Sequence, residues 1–424
     1  MLDPIGSARD LACFELPEVG CLYETGNRWE PYQLLDPEEA IVEPVQLYFA
    51  DLQGASKSAT TIRSYGMDLL RWFRFLWAEN VPWNEATRTE ARDFARWMAI
   101  ANKPVRVHWR NKLKDGPIAT VPKPRSGSRT PNPITGKSGP GPKYAESTRA
   151  HSETVLRAFY DFHIEECTGP IINPFPLDRS RRSRRANAHH NPMEPFRQER
   201  QGRYRPRVPK RIPRRIPDEL FNALFAALKY NRDRALLATW VSTGARAEEL
   251  LTSDQHDADP GQQLVTVVRK GTRESQPLPA SPDTFVWLRL YQEELRQIGI
   301  PQGRHQPLWW TLRRPWRPLN YHAARAMLNR ANDLLGSNWT LHDLRHTASF
   351  RMAGDRRLPL THVQWVLGHA HLSTTEIYLA AGLEDVIDGI LAHHARRAQL
   401  AERPPAPAPG YSSDSLNVLF GGRS

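Results

Sequence analysis

The sequence predicts a mainly α-helical chain in two domains, with a small β-sheet in the second. Apolar residues recur at steps of three and four through long stretches of both halves, the signature of amphipathic helices. Residues 263–269 instead alternate in β fashion and are followed by a turn and a return strand. Between the halves, residues 178–212 are rich in Arg and Pro and too poor in apolar residues for a core, so they read as a semi-extended basic linker. At 424 residues the chain is long enough for two or three domains, each with its own core.

Residues 1–37, with Pro4, Pro17, Pro31 and Pro37 and no clean period, are read as an N-terminal extension. The first domain is expected over residues 38–177. Ile41, Val45, Leu47, Tyr48 and Leu52 give one apolar helical face, and Ile62, Tyr65, Leu69, Trp72, Phe73 and Leu76 give a stronger one. Residues 83–101, with Phe94 and Trp97 inward, and residues 148–166 supply two more helices. Between these, residues 102–143 hold Pro104, Pro117, Pro122, Pro124, Pro131, Pro133, Pro140 and Pro142 among Lys, Arg, Gly and Ser. That composition cannot pack a core and reads as an inserted basic arm, either tracking a groove or forming a long loop.

The second domain is expected over residues 213–400. Pro217 opens a helix carrying Leu220, Leu224 and Leu228, and residues 235–241 form another that Gly244 breaks. Arg246 then falls in the first turn of a new helix, with Glu249 three residues on to brace its guanidinium. Val265, Val267 and Val268 alternate, Gly271 supplies a turn, and Lys270 rides on the resulting hairpin. Helices follow over 283–297 and 320–335, and Trp309, Trp310 and Trp316 between them are read as packing residues. Residues 401–424 form a tail, a Pro/Ala-rich spacer ending in an apolar plug at 416–420.

Charge is unevenly spread. Residues 103–215 hold 26 Lys/Arg against 9 Asp/Glu, a local +17 in a chain of total +12, so the remainder carries −5. Such a local basic tract suits a nucleic-acid backbone, whose condensed counterions are released on binding; its bland alternative is a solvated loop. Arg181, Arg182, Arg184, Arg185, Arg203, Arg205, Arg207, Lys210 and Arg211 are the candidate phosphate contacts. No apolar run approaches 18 residues and no charged-then-apolar leader is present, which points to a cytoplasmic protein with no membrane partner. Cys13, Cys21 and Cys167 have neither CxxC spacing nor an even count, so neither a disulfide framework nor a thiolate metal site is expected.

Residues 340–379 gather the polar chemistry. Thr340 with Asp343 reads as a capping box, which sets His342 and Arg345 one turn apart near a positive helix terminus, where an anion is favoured. Gly368 stops the next helix and leaves His369 just beyond it. Ser373 with Glu376 reads as a second capping box, placing Tyr378 early in a third helix close to the same anion.

His342-x-x-Arg345, Leu367-Gly368-His369 and Tyr378 after Ser373-Thr374-Thr375 resemble the signature of the tyrosine recombinase (phage integrase) family. The resemblance extends to residues 243–250, similar to its first arginine box, and to Arg269-Lys270-Gly271, similar to its lysine turn; residues 60–76 resemble its helical core-binding domain more weakly. It implies a two-domain, C-shaped clamp on double-stranded DNA at specific recombination sites, cut and rejoined through a 3′-phosphotyrosine on Tyr378, with four copies assembled on synapsed DNA. By the same resemblance Arg246 and Arg345 stabilise the phosphoryl transition state, Lys270 protonates the leaving 5′-oxygen, His342 handles the tyrosine proton and His369 bonds the phosphate. No metal, cofactor or ATP is expected. Competing readings are a zinc hydrolase using His342, His346, His369 and His371, a DNA-binding accessory protein that has lost catalysis, and a type IB topoisomerase.

Overall fold

The computed structural model describes residues 9–104, 130–139, 141–178, 201–209, 213–355, 357–379 and 390–396, with Asp414 and Asn417. The chain divides into two compact units, one of residues 1–132 and 136–210, the other of 133–135 and 211–424.

The first unit is helical: α1 (Glu43–Gly54), α2 (Ala59–Ala78), α3 (Arg88–Ile100) and α4 (Glu146–Glu165). Ser58 starts α2 by accepting a hydrogen bond from the Thr61 amide, and Thr87 with Glu90 forms a capping box on α3. The predicted face of α2 is the core, with Ile62, Leu69, Trp72, Phe73 and Leu76 buried and Tyr65 half-buried, and Phe75, not expected there, is fully buried beside them. The Trp72 indole donates to the Tyr160 hydroxyl of α4 (3.0 Å), which donates to the Trp83 carbonyl (2.8 Å). Removing either acceptor would strand a buried donor, at about 1–3 kcal/mol. The face of α1 lies differently from expectation. Val45, Tyr48, Phe49 and Leu52 are buried, whereas Leu47 is exposed and Ile41 precedes the helix, so the stripe turns toward Phe49.

Residues 9–37 are not an appendage. They form a hairpin of β1 (Cys21–Glu24) and β2 (Tyr32–Leu35), with Leu22 opposite Leu34. Leu22 packs where α2 carries Gly66, a position at which a Cβ would clash with it. Leu11 and Leu34 join the first core, and Arg9 bridges Glu79, Glu90 and Asp93 at 2.7–3.2 Å. Part of the predicted linker also belongs here. Leu177 pairs with Gly202, the Asp178 amide donates to the Gln201 carbonyl (2.8 Å) and the Tyr204 ring packs on the core. The ends of the 102–143 insertion meet, Asn102 pairing with Lys143, while residues 105–129 lie outside the described residues.

The second unit contains α5 (Asp218–Ala226), α6 (Asn231–Thr243), α7 (Ala247–Leu251), α8 (Pro282–Gln297), α9 (Tyr321–Leu335), α10 (Leu341–Gly354), α11 (Leu360–Leu367) and the short α12 (Leu372–Glu376). Its antiparallel sheet runs β3 (Ala258–Asp259), β4 (Leu264–Val268), β5 (Ser275–Pro279), with Val267 opposite Gln276. Trp240 and Trp309 are fully buried in a core that also takes Trp310, and Trp316 packs against its edge. Among the described residues no helix is long and apolar enough to cross a membrane.

Candidate active site

Arg246 is the N-cap of α7 rather than part of its first turn, because Gly244 ends α6 in the left-handed conformation (φ 63°) only two residues earlier. Glu249 braces it as expected: its carboxylate accepts from the Arg246 amide (2.9 Å) and from Nη1 (2.8 Å). The same carboxylate, almost fully buried, accepts from Arg269 Nη1 (3.0 Å) and from the Lys270 amide (3.2 Å). Burial opposes its charge, but the bonds from Arg246 and Lys270 and the charge of Arg269 outweigh it and hold Glu249 below the usual carboxylate range. Arg269, noted in the sequence only as part of the lysine turn, ties the hairpin to α11 through the Val366 carbonyl. It lies close against Gly368, the left-handed C-cap of that helix, where an added Cβ would come within 3.1 Å of the guanidinium.

Arg345 is 3% exposed on α10, behind the predicted Thr340–Asp343 capping box. Its guanidinium donates to the carbonyls of Gly244 (2.6 Å) and Leu367 (2.7 Å) and to His369 Nε2 (3.1 Å). Burial, then the charge of Arg246, lowers its pKa to about 10, still cationic at neutral pH. Because a guanidinium can only donate, His369 Nε2 is the acceptor, so its Nδ1–H donates to Thr375 Oγ1 (2.9 Å). His369, expected to bond the phosphate directly, therefore orients Arg345 in this state. Burial and the neighbouring Arg345, Arg246 and Arg269 push its pKa down to about 4.

That shift sets a pH dependence. His369 is neutral when folded but titrates near 6.5 when unfolded, so the unfolded chain binds more protons between about pH 4 and 6.5. The contribution is complete above that window and is lost as pH falls through it. Allowing for the partial exposure of the ring, it is on the order of 1–2 kcal/mol. Urea unfolding at pH 7 and pH 5 should show a smaller acid-induced loss of stability in His369→Gln than in wild type.

Tyr378 lies beyond the end of α12, not early in a helix: α12 begins at Leu372, earlier than the predicted Ser373–Glu376 box would allow, and stops at Glu376. No side-chain hydrogen bond caps it. The Tyr378 amide bonds the Thr375 carbonyl (3.0 Å), and the ring, 6% exposed, packs edge-on to Phe350 and parallel to His369 at 6.3 Å. Burial raises the phenol above its ordinary value, with Ser349 and Arg345 pulling the other way. The histidine touching the hydroxyl is His346, through Nδ1 at 2.9 Å. His342, the one predicted there, is exposed one turn earlier, its ring 4.3 Å from that of His346. The sequence names His346 only as a ligand in the zinc-hydrolase reading, because its contact with Tyr378 is tertiary; the available signal is its place at i+4 from His342 and next to Arg345.

The structure thus brings Arg246, Arg345, His369 and Tyr378 together and leaves Lys270 at the rim, where Nζ pairs with Glu248 (2.8 Å) in an exposed turn. Among the described residues Glu249 is the one carboxylate ion-paired with Arg246 or Arg269, and none pairs with Arg345. Three guanidiniums round one carboxylate leave an excess of positive charge that an anion would neutralise. Among the described residues, the His, Asp and Glu side chains close enough to share one ion are Asp254, His256 and His305; the set His342, His346, His369 and His371 is not such a group. Of the candidate phosphate contacts, Arg203, Arg205 and Arg207 are exposed, with Arg205 donating to Thr154 Oγ1 (2.6 Å). Arg181, Arg182, Arg184, Arg185, Lys210, Arg211 and, apart from Asn417, the 416–420 plug lie outside the described residues.

Residues 214–384 match the Phage integrase family, and residues 45–105 match the phage integrase N-terminal SAM-like domain. The tyrosine recombinase XerD of Yersinia pestis is 28% identical over 177 residues, covering 39% of this chain and 55% of its own length. The tyrosine recombinase XerC of Corynebacterium efficiens is 28% identical over 178 residues, covering 40% and 52%. The chain spans about half the length of these curated relatives. The fold is shared with the Tn1549 transposon integrase in complex with transposon right end DNA, at a TM-score of 0.51 and 14% identity over 84% of this chain and 99% of that one. With both domain matches in place, and Arg246, Arg345, His369 and Tyr378 of the family signature brought together in one site, the chain belongs to the tyrosine recombinase (phage integrase) family.

Proposed function

We propose that this protein is a site-specific DNA recombinase or integrase that cuts and rejoins duplex DNA through a covalent 3′-phosphotyrosine, without metal or ATP. The observation that carries the reading is the Tyr378 phenol set beside Arg345 and His369 in a buried site with uncompensated positive charge. The Tyr378 oxygen attacks phosphorus in line, the Tyr O–P bond forms and the bond to the 5′-oxygen breaks. Arg246 and Arg345 donate to the non-bridging oxygens, whose charge grows in the transition state. Lys270, on its exposed turn, exchanges Glu248 for the leaving 5′-oxygen and protonates it. Reversal by the hydroxyl of a second strand rejoins the DNA, so the ester stores the bond energy and no nucleotide is consumed.

Exchange between two duplexes needs four cut ends, and four protomers at a pair of specific sites, acting in the cytoplasm, fit that count. The basic tract at 178–212 supplies sequence-independent phosphate contacts that hold the duplex while base-reading residues select the site.

A nicked suicide substrate tests the reading. Cleavage releases a short strand that diffuses away and traps the protein on DNA. The adduct should form at the same rate in excess EDTA, and peptide mapping should place it on Tyr378. Loss of the adduct on chelation, restored by Zn²⁺ or Mg²⁺, would replace this mechanism with a metal-assisted one.

A further inference from the structure

We propose that His346 takes the proton of Tyr378 during cleavage and returns it during rejoining. The inference rests on the recombinase reading and names a catalytic residue within it. As the Tyr O–P bond forms, the phenolic O–H bond must break, and its proton needs an acceptor already in contact. His346 Nδ1 lies 2.9 Å from the phenolic oxygen, within the range for direct transfer. The tautomer required carries its hydrogen on Nε2 and leaves the Nδ1 lone pair facing the phenol; after transfer the ring is an imidazolium with a hydrogen on each nitrogen.

The other groups near Tyr378 are less suited. His369 lies parallel to the tyrosine at 6.3 Å, and its Nε2 is occupied by Arg345. Ser349 donates its one hydrogen to the Arg345 carbonyl (2.8 Å), and a hydroxyl is no base at neutral pH. Lys270 is held by Glu248, and a cationic ammonium has no lone pair to accept with. His342 stands edge-on behind His346, exposed, one helical turn from the residue that makes the contact. The phenol is buried and held protonated, so chemistry at this site depends on an acceptor more than it would for an exposed tyrosine.

Single-turnover adduct formation on the nicked substrate separates the possibilities. His346→Gln keeps a hydrogen-bonding group near the phenol but offers no base, and His346→Ala removes both. Each should slow adduct formation by roughly 10²-fold or more while DNA affinity in a gel shift is retained. Added imidazole should recover part of the rate in His346→Ala, where it can enter the vacated space, and none in His346→Gln. His342→Ala should cost less than His346→Ala. The proposal is overturned by His346→Gln cleaving at the wild-type rate, by failure of imidazole to rescue His346→Ala, by loss of DNA binding in both variants, or by His342→Ala being the more damaging. No adduct from the wild-type chain would instead remove the recombinase reading, a result distinct from all of these.

Discussion

Tyr378→Phe should bind recombination-site DNA with wild-type affinity and form no covalent adduct, an effect limited only by the sensitivity of the gel. The substitution removes one oxygen and keeps the ring that packs on Phe350 and His369, so the segment after α12 retains its seat. What goes with the oxygen is chiefly its hydrogen bond to His346 Nδ1. A histidine nitrogen on a partly exposed ring can turn to water, so the folding cost should stay within about 1 kcal/mol. In the proposed mechanism catalysis has no such substitute, because the phenolic oxygen itself would become part of the ester. An adduct of undiminished yield on the suicide substrate would assign the nucleophile elsewhere.

Arg345→Ala should reduce the rate of adduct formation by roughly 10²–10³-fold or more, about 3–4 kcal/mol of transition-state stabilisation, with DNA affinity changed only a few-fold. Affinity is spared because many phosphate contacts share it, whereas the scissile phosphate is one of them. Arg345→Lys should recover little of the rate. One ammonium cannot reach the Gly244 and Leu367 carbonyls and His369 while also keeping an N–H for a phosphate. A lysine variant within tenfold of wild type, in the same single-turnover assay, would show that charge alone suffices and that the fork geometry is dispensable.

What could be read from the sequence was local in the chain. The Arg246–Glu249 brace, the Thr340–Asp343 box and the helix stops at Gly244 and Gly368 each depend on residues at most three positions apart, and short-range geometry was enough to find them. The hairpin at 21–35 escaped because its strands are four residues long, and Cys21, Tyr23 and Glu24 are exposed while Leu22 is only partly buried, so no alternation marks it. On α1 Val45, Tyr48 and Leu52 lie inward as read, and the one misplaced position is Leu47, which continues the apolar stripe yet faces outward, while Phe49 turns in. In the site, the exchange of His346 for His342 follows from where Tyr378 lands after α12, and that position is set by the packing of α11 against α10. Periodicity on one helix cannot report which of two histidines, a turn apart, another segment will meet.

The two carbonyls that hold Arg345 belong to helix ends. Gly244 closes α6 and Leu367 is the last residue of α11, so the guanidinium sits where two peptide macrodipoles terminate in partial negative charge. Those dipoles let a cation stay buried with no carboxylate bonded to it, and because they add no net charge the site as a whole stays positive. The counterweight is written in the main chain. Ordinary side-chain drift on either helix leaves it in place, and the vulnerable positions are Gly244 and Gly368, whose left-handed backbone brings the two helix ends to face each other across one arginine.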